Sequence, residues 1–423
     1  MVSYSSKDLS EWLSFDLVEQ ILWRLPVKSL LPFCTVCKSL NSTISDPKFA
    51  INHLLCSKKN LTHHRILLSR RDMPPKSLSA YPLYEERRSC IFNGHPKGTP
   101  LNYPRSNPDS DFIVGSCDGI LCFAAVAGGE DRPFLVWNPS IRKFKELEPL
   151  ETKHPHQNPV PIYGFGYDHS CDDYKVIAGF CYKLPGDVFK CQINGNDLRT
   201  NVWRRKNVQD FPGLPMPNDE IGRLVSDTVN WLVKSTSSFV IVSFDLGEES
   251  CQEISQPNYG VDSSVFVDHP DMFCLKLEVL RDCLSIIVHV RDFEDNEDYE
   301  YLWVMKEYGN RESWTKLFKV PHMKLSIRPW YGSFARIVCI LKDSKGDDTL
   351  FMRWGSTLAV HSSTLTVFNC NHDGVCVFER FKPSFSLFER SCAAICVAFV
   401  YSPMKFVYCA AAIMEGPLSP PCA

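Results

Sequence analysis

The residues of this sequence that could do chemistry are cysteines, histidines and paired aspartates. Cys34 and Cys37 have the two-residue gap of zinc ligands, and His53, His63 and His64 follow downstream. A structural zinc site, however, needs two such ligand pairs to close a tetrahedron, and these two cysteines fall within a helical apolar pattern. We therefore predict no metal site and no cofactor.

The acidic pairs favour turns over catalysis. Asp172-Asp173 and Asp347-Asp348 lie in polar segments between apolar runs, where aspartate is favoured because its side chain bonds to the nearby backbone. Gly164-Phe165-Gly166 is too short a glycine motif to cradle a phosphate. An enzyme would need convergent acid, base or metal-ligand residues in several segments, and we predict instead that the chain has no catalytic residues.

Length and composition describe a folded chain of more than one domain. Its 423 residues are 44% hydrophobic and 12% aromatic, which is typical of globular domains and too apolar for a disordered chain. The net charge is −3, and the first 110 residues carry 15 basic but also 9 acidic side chains. Because the basic residues are so mixed with acids, the charge pattern predicts no nucleic-acid partner.

Cysteine usage and hydropathy bear on the compartment. The 19 cysteines are odd in number, and the N-terminal residues show no basic-then-apolar signal pattern. Both features favour a reducing compartment, cytoplasmic and/or nuclear. The strongest membrane candidate, Cys392–Met414, is interrupted by Pro403 and Lys405, so we predict two buried strands around a turn and no membrane partner.

The elements that would position any site change character along the chain. From Phe15 to Leu55 the apolar residues follow a helical period, broken at Leu25-Pro26 and again at Asp46-Pro47. This pattern predicts three or four short helices in about fifty residues. Beyond residue 60, short β-branched and aromatic runs between turn residues predict strands and hairpins. The Pro- and Arg-rich stretch from Asp72 to Asp111 is predicted to be a long loop.

A repeat of about 55 residues organises the β region. Turn aspartates at positions 118, 172, 227 and 282 are separated by 54, 55 and 55 residues. Each repeat holds two hairpins and hence four strands, which is the arithmetic of a propeller blade. Further strand pairs are predicted at Phe334–Leu341 with Thr349–Trp354 and at Leu365–Cys370 with Val375–Arg380. The fold class is thus α+β multidomain, with small N-terminal helices and an all-β propeller of about six blades; a β-sandwich, which does not demand an even period, is the competing fold.

Ring closure and partner recognition follow from the propeller prediction. A closed ring pairs a strand near the start, Ile66–Ser69, with one near the end, Ile395–Val400 or Phe406–Cys409. Partner choice would lie in long polar loops at Val208–Ile221, Gln256–Asp271 and Arg291–Glu300. The last of these holds six acids, for which the favoured interpretation is a solvated hairpin tip; the alternative is a cluster that attracts a basic partner.

Two sets of motifs resemble a known family. The stretch from Leu13 to Pro47 resembles an F-box, most specifically in Leu25–Leu31 and Val36–Ser39. Downstream, several motifs resemble the kelch-like F-box-associated domain of plant F-box proteins, namely Gly115–Cys122, Trp137–Ser140, Tyr163–Asp168, Asp173–Val176, Trp303–Gly309 and Ser313-Trp314.

The resemblance implies a substrate receptor of a Skp/cullin/F-box ubiquitin ligase. It divides the chain into an F-box (1–56), a connecting strand and loop region (57–111), a propeller-like domain (112–414) and a C-terminal tail (415–423). The F-box would dock a Skp-like adaptor and through it a cullin, and the propeller-like domain would bind an unidentified target protein. The alternative is a kelch-like protein-binding scaffold not coupled to a ligase. The residues assigned to the adaptor surface or its support are Leu13, Leu25, Pro26, Val27, Leu30, Leu31, Val36, Cys37 and Leu40.

Three positions depart from the usual F-box pattern. Ser14 stands where the family usually has proline, Pro32 where it has a basic residue, and Leu40 where tryptophan is common. Ser14 can cap a helix, whereas Pro32 removes one N–H from its helix. A smaller side chain at position 40 would weaken adaptor docking, because large anchors carry much of an interface's energy.

Overall fold

The structure is a computed structural model, and it describes most of the chain between residues 14 and 400. The described residues are 14–60, 63–69, 78–82, 99–105, 111–125, 133–150, 159–186, 188–206, 211–215, 220–236, 238–260, 273–292, 297–321, 335–342, 348–354, 357–361, 366–370, 376–380 and 396–400. From residue 320 onward the description covers the backbone only.

Four helices form the N-terminal part, as the apolar period predicts. They are α1 (Phe15–Leu22), α2 (Val27–Phe33), α3 (Lys38–Ile44) and α4 (Pro47–Lys59). Their inward residues form one small buried cluster, made of Leu22, Val27, Leu30, Ile44, Phe49 and Ala50. Because so short a segment can bury few side chains, much of its apolar surface stays outside.

Prolines and one aspartate set the helix ends. Pro26 is the residue before α2 and has an extended backbone. Asp46 caps α4 by accepting a hydrogen bond from the Lys48 N–H at 2.7 Å, and Pro47 occupies the first helical position, where its missing N–H costs nothing. Pro32 lies in the last turn of α2, which ends one residue later.

Twenty-six strands in the described part of the chain form six antiparallel sheets. The first sheet holds β1 (Arg65–Ser69), β2 (Leu78–Pro82) and β3 (Thr99–Leu101) together with β26 (Cys396–Val400). The second holds β4 (Asp111–Cys117), β5 (Ile120–Ala125), β6 (Leu135–Asn138) and β7 (Lys143–Glu146). The third holds β8 (Val160–Asp168), β9 (Asp173–Leu184), β10 (Val188–Asp197) and β11 (Val202–Lys206).

The remaining three sheets continue the same order. The fourth holds β12 (Leu214–Pro215), β13 (Arg223–Val225), β14 (Thr228–Lys234), β15 (Phe239–Asp245) and β16 (Cys251–Ile254). The fifth holds β17 (Phe273–Leu280), β18 (Cys283–Asp292), β19 (Glu297–Met305) and β20 (Trp314–Pro321). The sixth holds β21 (Ala335–Lys342), β22 (Asp348–Trp354), β23 (Thr357–His361), β24 (Thr366–Cys370) and β25 (Cys376–Arg380). The two predicted strand pairs of this last region are confirmed as β21–β22 and β24–β25.

The sheets follow one another as the blades of a propeller. The strand at one edge of each sheet contacts the corresponding edge strand of the next sheet, in the order β26, β4, β8, β13, β17, β21. Strand β1 pairs with β26 from Arg65 opposite Val400 to Ser69 opposite Cys396. The first sheet therefore combines both ends of the β region, which confirms the closure predicted from Ile66–Ser69 and Ile395–Val400; Phe406–Cys409 lies outside the described residues.

The predicted long loop between Asp72 and Asp111 is wrong in part, because β2 and β3 lie within it. Strand β2 pairs with β1, and β3 pairs with β2 at the outer edge of the sheet. Pro100 is tolerated in β3 because an edge strand has one side without ladder hydrogen bonds. The prediction of a loop from proline content therefore missed two short strands.

The repeated turn aspartates are confirmed as hairpin turns. Asp118, Asp172, Asp227 and Asp282 each lie between the first two long strands of a sheet, with φ between 51° and 62°. This left-handed backbone is one that aspartate tolerates better than most residues. A left-handed turn thus recurs once in each of the second to fifth sheets, and these turns account for the regularly spaced aspartates.

Candidate functional site

The helices carry an unusual amount of exposed apolar surface. Twelve large apolar side chains stand exposed in the described part of the chain, and eight of them lie between residues 15 and 55. Six belong to α1, α2 and the turn that follows: Phe15, Leu17, Ile21, Leu31, Phe33 and Val36. We call these six the apolar helical surface. Exposed apolar surface is typical of sites that bind a protein, a membrane or another ligand.

The structure divides the residues that the sequence assigned to adaptor docking. Leu31, Val36, Cys37 and Pro26 are exposed, with Val36 the most exposed of the apolar ones at 67%. Leu25 and Leu40 are half-buried and pack against the helical core.

Three assigned residues remain. Val27 and Leu30 are buried in the helical core, at 1% and 0% exposure, so they support α2 from within. Leu13 lies outside the described residues.

Four residues of the apolar helical surface were missed by the docking assignment: Phe15, Leu17, Ile21 and Phe33. Helix α1 is apolar on two sides, with Val18 and Leu22 turned toward the core and Leu17 and Ile21 toward solvent. The available signal was the i, i+4 spacing of Leu17 and Ile21, which places them on one face of the helix.

Of the three departures from the F-box pattern, Leu40 is half-buried against the helical core. Ser14 occupies the N-cap position of α1, but its side chain makes no capping hydrogen bond. Near Pro32, the hydroxyl of Thr35 donates to the Pro32 carbonyl at 2.7 Å, which satisfies an acceptor at the end of α2.

The two cysteines with zinc-ligand spacing, Cys34 and Cys37, lie between α2 and α3. The Cys37 thiol is exposed and lies 3.2 Å from the Ser39 hydroxyl, whose hydrogen bond lowers the pKa of that thiol. Burial raises the pKa of Cys34. Across the described residues, no three His, Cys, Asp or Glu side chains are grouped to hold a metal ion.

The helices sit on one face of the propeller, which we call the helix-side face. The Lys58 ammonium of α4 lies 2.7 Å from a carboxylate oxygen of Asp118, in the turn between β4 and β5. The Tyr174 hydroxyl donates to the other Asp118 oxygen at 3.1 Å. Ile141, in the turn between β6 and β7, packs against the helical core. An ion pair and an apolar contact therefore join the helices to the second blade.

The ammonium group of Lys58 also interacts electrostatically with an aspartate of another blade. Burial of its ammonium by itself would lower the pKa of Lys58, but Asp118 outweighs this effect and raises the pKa, with a smaller contribution from Asp282. Asp118 and Asp282 belong to the second and fifth sheets of a six-sheet ring. The end of α4 thus lies within electrostatic reach of hairpin turns from two distant blades.

Three histidines line the joint between α4 and β1. His53 donates from Nε2 to the Leu25 carbonyl at 2.8 Å and stacks on His63 with ring centroids 6.3 Å apart. His63 bonds the Ser57 hydroxyl at 2.9 Å, and His64 lies near the carbonyls of Ser57 and Lys58. Burial is the main cause that lowers the pKa of all three imidazoles, so the neutral forms are favoured in the folded protein.

The connections predicted to read a target share the face opposite the helices. In each antiparallel blade, the first hairpin turn points to the helix-side face, so the second turn and the link to the next blade leave from the opposite face. Val208–Ile221 follows β11 and contains β12, Gln256–Asp271 follows β16, and Arg291–Glu300 spans the turn between β18 and β19. The described strands that flank these three segments therefore meet them on that opposite face.

The acidic segment is shorter than a long loop. Strand β18 runs to Asp292 and β19 begins at Glu297, so most of the six acids belong to the two strands. Glu300 is buried at 2% exposure, with a carboxylate oxygen 3.9 Å from His289 Nδ1, and is wrongly counted as part of an exposed cluster. Of the five acids before it, Asp292, Glu297 and Asp298 are described by their backbone alone, and Glu294 and Asp295 lie outside the described residues.

Comparison with protein families decides the assignment. A model of the F-box domain matches residues 11–52, and a model of the F-box associated beta propeller domain matches residues 95–364, which is more than half of the chain. The chain belongs to the F-box-associated β-propeller family. An F-box/kelch-repeat protein of Arabidopsis thaliana is 31% identical over 338 residues, covering 78% of this chain and 85% of its own. The Arabidopsis F-box protein CPR1 is 25% identical and covers 78% of this chain and 77% of its own.

A solved structure adds little to these matches. An oligogalacturonate lyase in complex with manganese aligns over 81% of this chain and 87% of its own, at 11% identity and a TM-score of 0.38, which is too weak to carry an argument. The F-box joined to a propeller fits the role of a non-catalytic receptor subunit. In the described part of the chain, every helix is too short or too polar to cross a bilayer.

Proposed function

We propose that this F-box protein is the substrate-recognition subunit of a Skp/cullin/F-box ubiquitin ligase. The observation that carries the proposal is the apolar helical surface, which the described residues leave uncovered while the inward side chains of the same helices are buried. A Skp-like adaptor would cover this surface and link the chain to a cullin. The chain itself would make and break no bonds.

The target protein would bind on the face opposite the helices. The helix-side face is occupied by α4 and the turns around it, through the Lys58–Asp118 ion pair and the packing of Ile141. The opposite face carries the connections between blades, which vary most freely on a rigid scaffold. Adaptor and target would then be held at two ends of one body, in the cytoplasm and/or nucleus. The alternative, a protein-binding scaffold without ligase coupling, would bind a target but no adaptor.

Matched substitutions test adaptor binding. Val36→Asp and Leu31→Asp place a charge on the apolar helical surface, and Val202→Asp and Leu317→Asp place the same charge on propeller strands at comparable exposure. Each helical variant should weaken binding of a Skp-like adaptor at least about tenfold in calorimetric titration of the full chain, because burying an uncompensated charge is costly. Leu30→Asp is not a useful variant, since Leu30 lies in the helical core and its loss would disrupt folding.

The controls should bind the adaptor within about twofold of the parent, and all four variants should keep the parent's melting temperature within a few degrees. Adaptor binding that is equal in the helical and the propeller variants, with all of them folded, would remove the proposed interface.

A further inference from the structure

Two cysteines face each other inside the third blade. Cys181 on β9 and Cys191 on β10 are directly opposite in the antiparallel register. Their sulfur atoms lie 2.7 Å apart, closer than the van der Waals contact of two non-bonded sulfurs. Directly opposite residues of antiparallel strands have Cα atoms about 4.5 to 5.5 Å apart, which lies within the range that a disulfide bridges.

The pair is buried between the third and fourth blades. Both side chains belong to an apolar cluster that includes Ile162, Ile193 and Trp231, and Cys251 of the fourth blade packs against the same cluster. Burial raises the pKa of Cys251 to about 12, with a smaller contribution from Cys191. Cys251 is on a different sheet and is not paired in register with either cysteine, so the geometry selects Cys181 and Cys191 as partners.

We propose that Cys181 and Cys191 are a redox modification site, which forms a cross-strand disulfide that locks β9 to β10. The oxidant is a low-molecular-weight disulfide such as glutathione disulfide. One cysteine loses its proton and attacks a glutathione sulfur, which breaks the glutathione S–S bond and releases one glutathione thiolate. The second cysteine then loses its proton and displaces the remaining glutathione. Two electrons pass from the protein sulfurs to glutathione, and two glutathione thiols result.

Burial sets the rate of this reaction. Desolvation, together with the neighbouring Cys181, raises the pKa of the Cys191 thiol, so little reactive thiolate is present in the closed blade. The pair therefore reacts when the β9–β10 hairpin opens, and the finished disulfide is shielded from reductant by the same packing. Because this hairpin's turn lies on the face opposite the helices, the disulfide by itself should leave the apolar helical surface unchanged.

Peptide mapping can read the bond directly. Trypsin separates residues 176–183, which contain Cys181, from residues 191–199, which contain Cys191, because Lys175, Lys183, Lys190 and Arg199 provide the cleavage sites. The full chain is incubated with glutathione disulfide at 25 °C and at about 10 °C below its melting midpoint, where hairpin opening is more frequent. It is then alkylated in denaturant and digested. We expect the two peptides to be linked and to separate on reduction, and the melting midpoint of the oxidised protein to rise by about 4 °C.

Variants and an internal control make the result decisive. Cys181→Ala and Cys191→Ala should each abolish both the link and the redox dependence of melting, whereas Cys122→Ala, at another buried cysteine in β5, should keep both. The exposed Cys37 reports that the oxidant is active by becoming glutathionylated. Free thiols at 181 and 191 at both temperatures, with Cys37 modified, would overturn the proposal, and so would a link from Cys191 to Cys251.

Discussion

Leu30 and Leu31 are adjacent on α2, yet they lie in opposite environments. Leu30 is fully buried in the helical core, whereas 42% of Leu31 is exposed on the apolar helical surface. Burying a leucine stabilises a fold by about 1.5 to 3 kcal/mol. Leu30 therefore stabilises the packing of α2 in the helical core, whereas Leu31 remains available to a partner. A single apolar dipeptide thus serves both folding and recognition.

The three buried histidines should make the stability of the fold depend on pH. Because burial lowers the pKa of His53, His63 and His64 below the usual value of about 6.5, the unfolded chain takes up protons first as the pH falls. Their contribution to stability is full above about pH 6.5 and is lost as the pH falls below it, by at most about 1.4 kcal/mol per pH unit for each histidine. The melting temperature should therefore drop between pH 7.5 and pH 5.5, and His53→Gln should make that drop smaller.

The outcome that would contradict this assignment is a His53→Gln variant whose melting temperature falls as much as the parent's between pH 7.5 and pH 5.5. The buried histidines would then not be the groups that titrate.

The hairpin turns of the blades could be predicted from the sequence. The aspartates at 118, 172, 227 and 282 identify these turns because few residue types fit a left-handed turn, and this restriction depends only on the local backbone. Strands β2 and β3 escaped prediction because they are short, proline-containing and defined by pairing with β1 instead of by their own pattern. Likewise, an apolar period shows that α1 is amphipathic, but which apolar side faces the core depends on the packing of the other helices.

One contact between elements should control how firmly the helices sit on the propeller. Asp118→Asn keeps a side chain that tolerates the left-handed turn at φ 51° and removes the ion pair to Lys58. Because Lys58 is half-exposed, we expect a loss of only about 1 kcal/mol. This should speed hydrogen exchange at the C-terminal end of α4 about fivefold.

Asp227→Asn is the matched control, at the equivalent turn of the fourth sheet. It should leave exchange in α4 unchanged. Equal exchange of α4 amides in both variants would show that the ion pair does not hold the helices in place.

At the scale of the whole molecule, closure of the ring makes the C-terminal strand essential. Ending the chain after Arg390 removes β26, which leaves β1 paired on one side only, with β2, and exposes the inner edge of the first sheet. We expect calorimetry to show loss of cooperative melting for the entire propeller. A chain ending after Met414 lacks only the predicted tail and should melt like the parent. A cooperative transition near the parent's temperature in the shorter chain would contradict closure by β26.

Hydrogen exchange of the full chain, with and without a Skp-like adaptor, distinguishes an adaptor bound at the helices from one bound at the opposite face. We expect the adaptor to slow exchange in peptides covering residues 15–36, which contain the apolar helical surface. We expect no change in peptides covering 208–221 and 256–271, which would remain available to the target. Unchanged exchange in residues 15–36 at saturating adaptor, or protection of the opposite-face segments instead, would show that the helices are not the adaptor site.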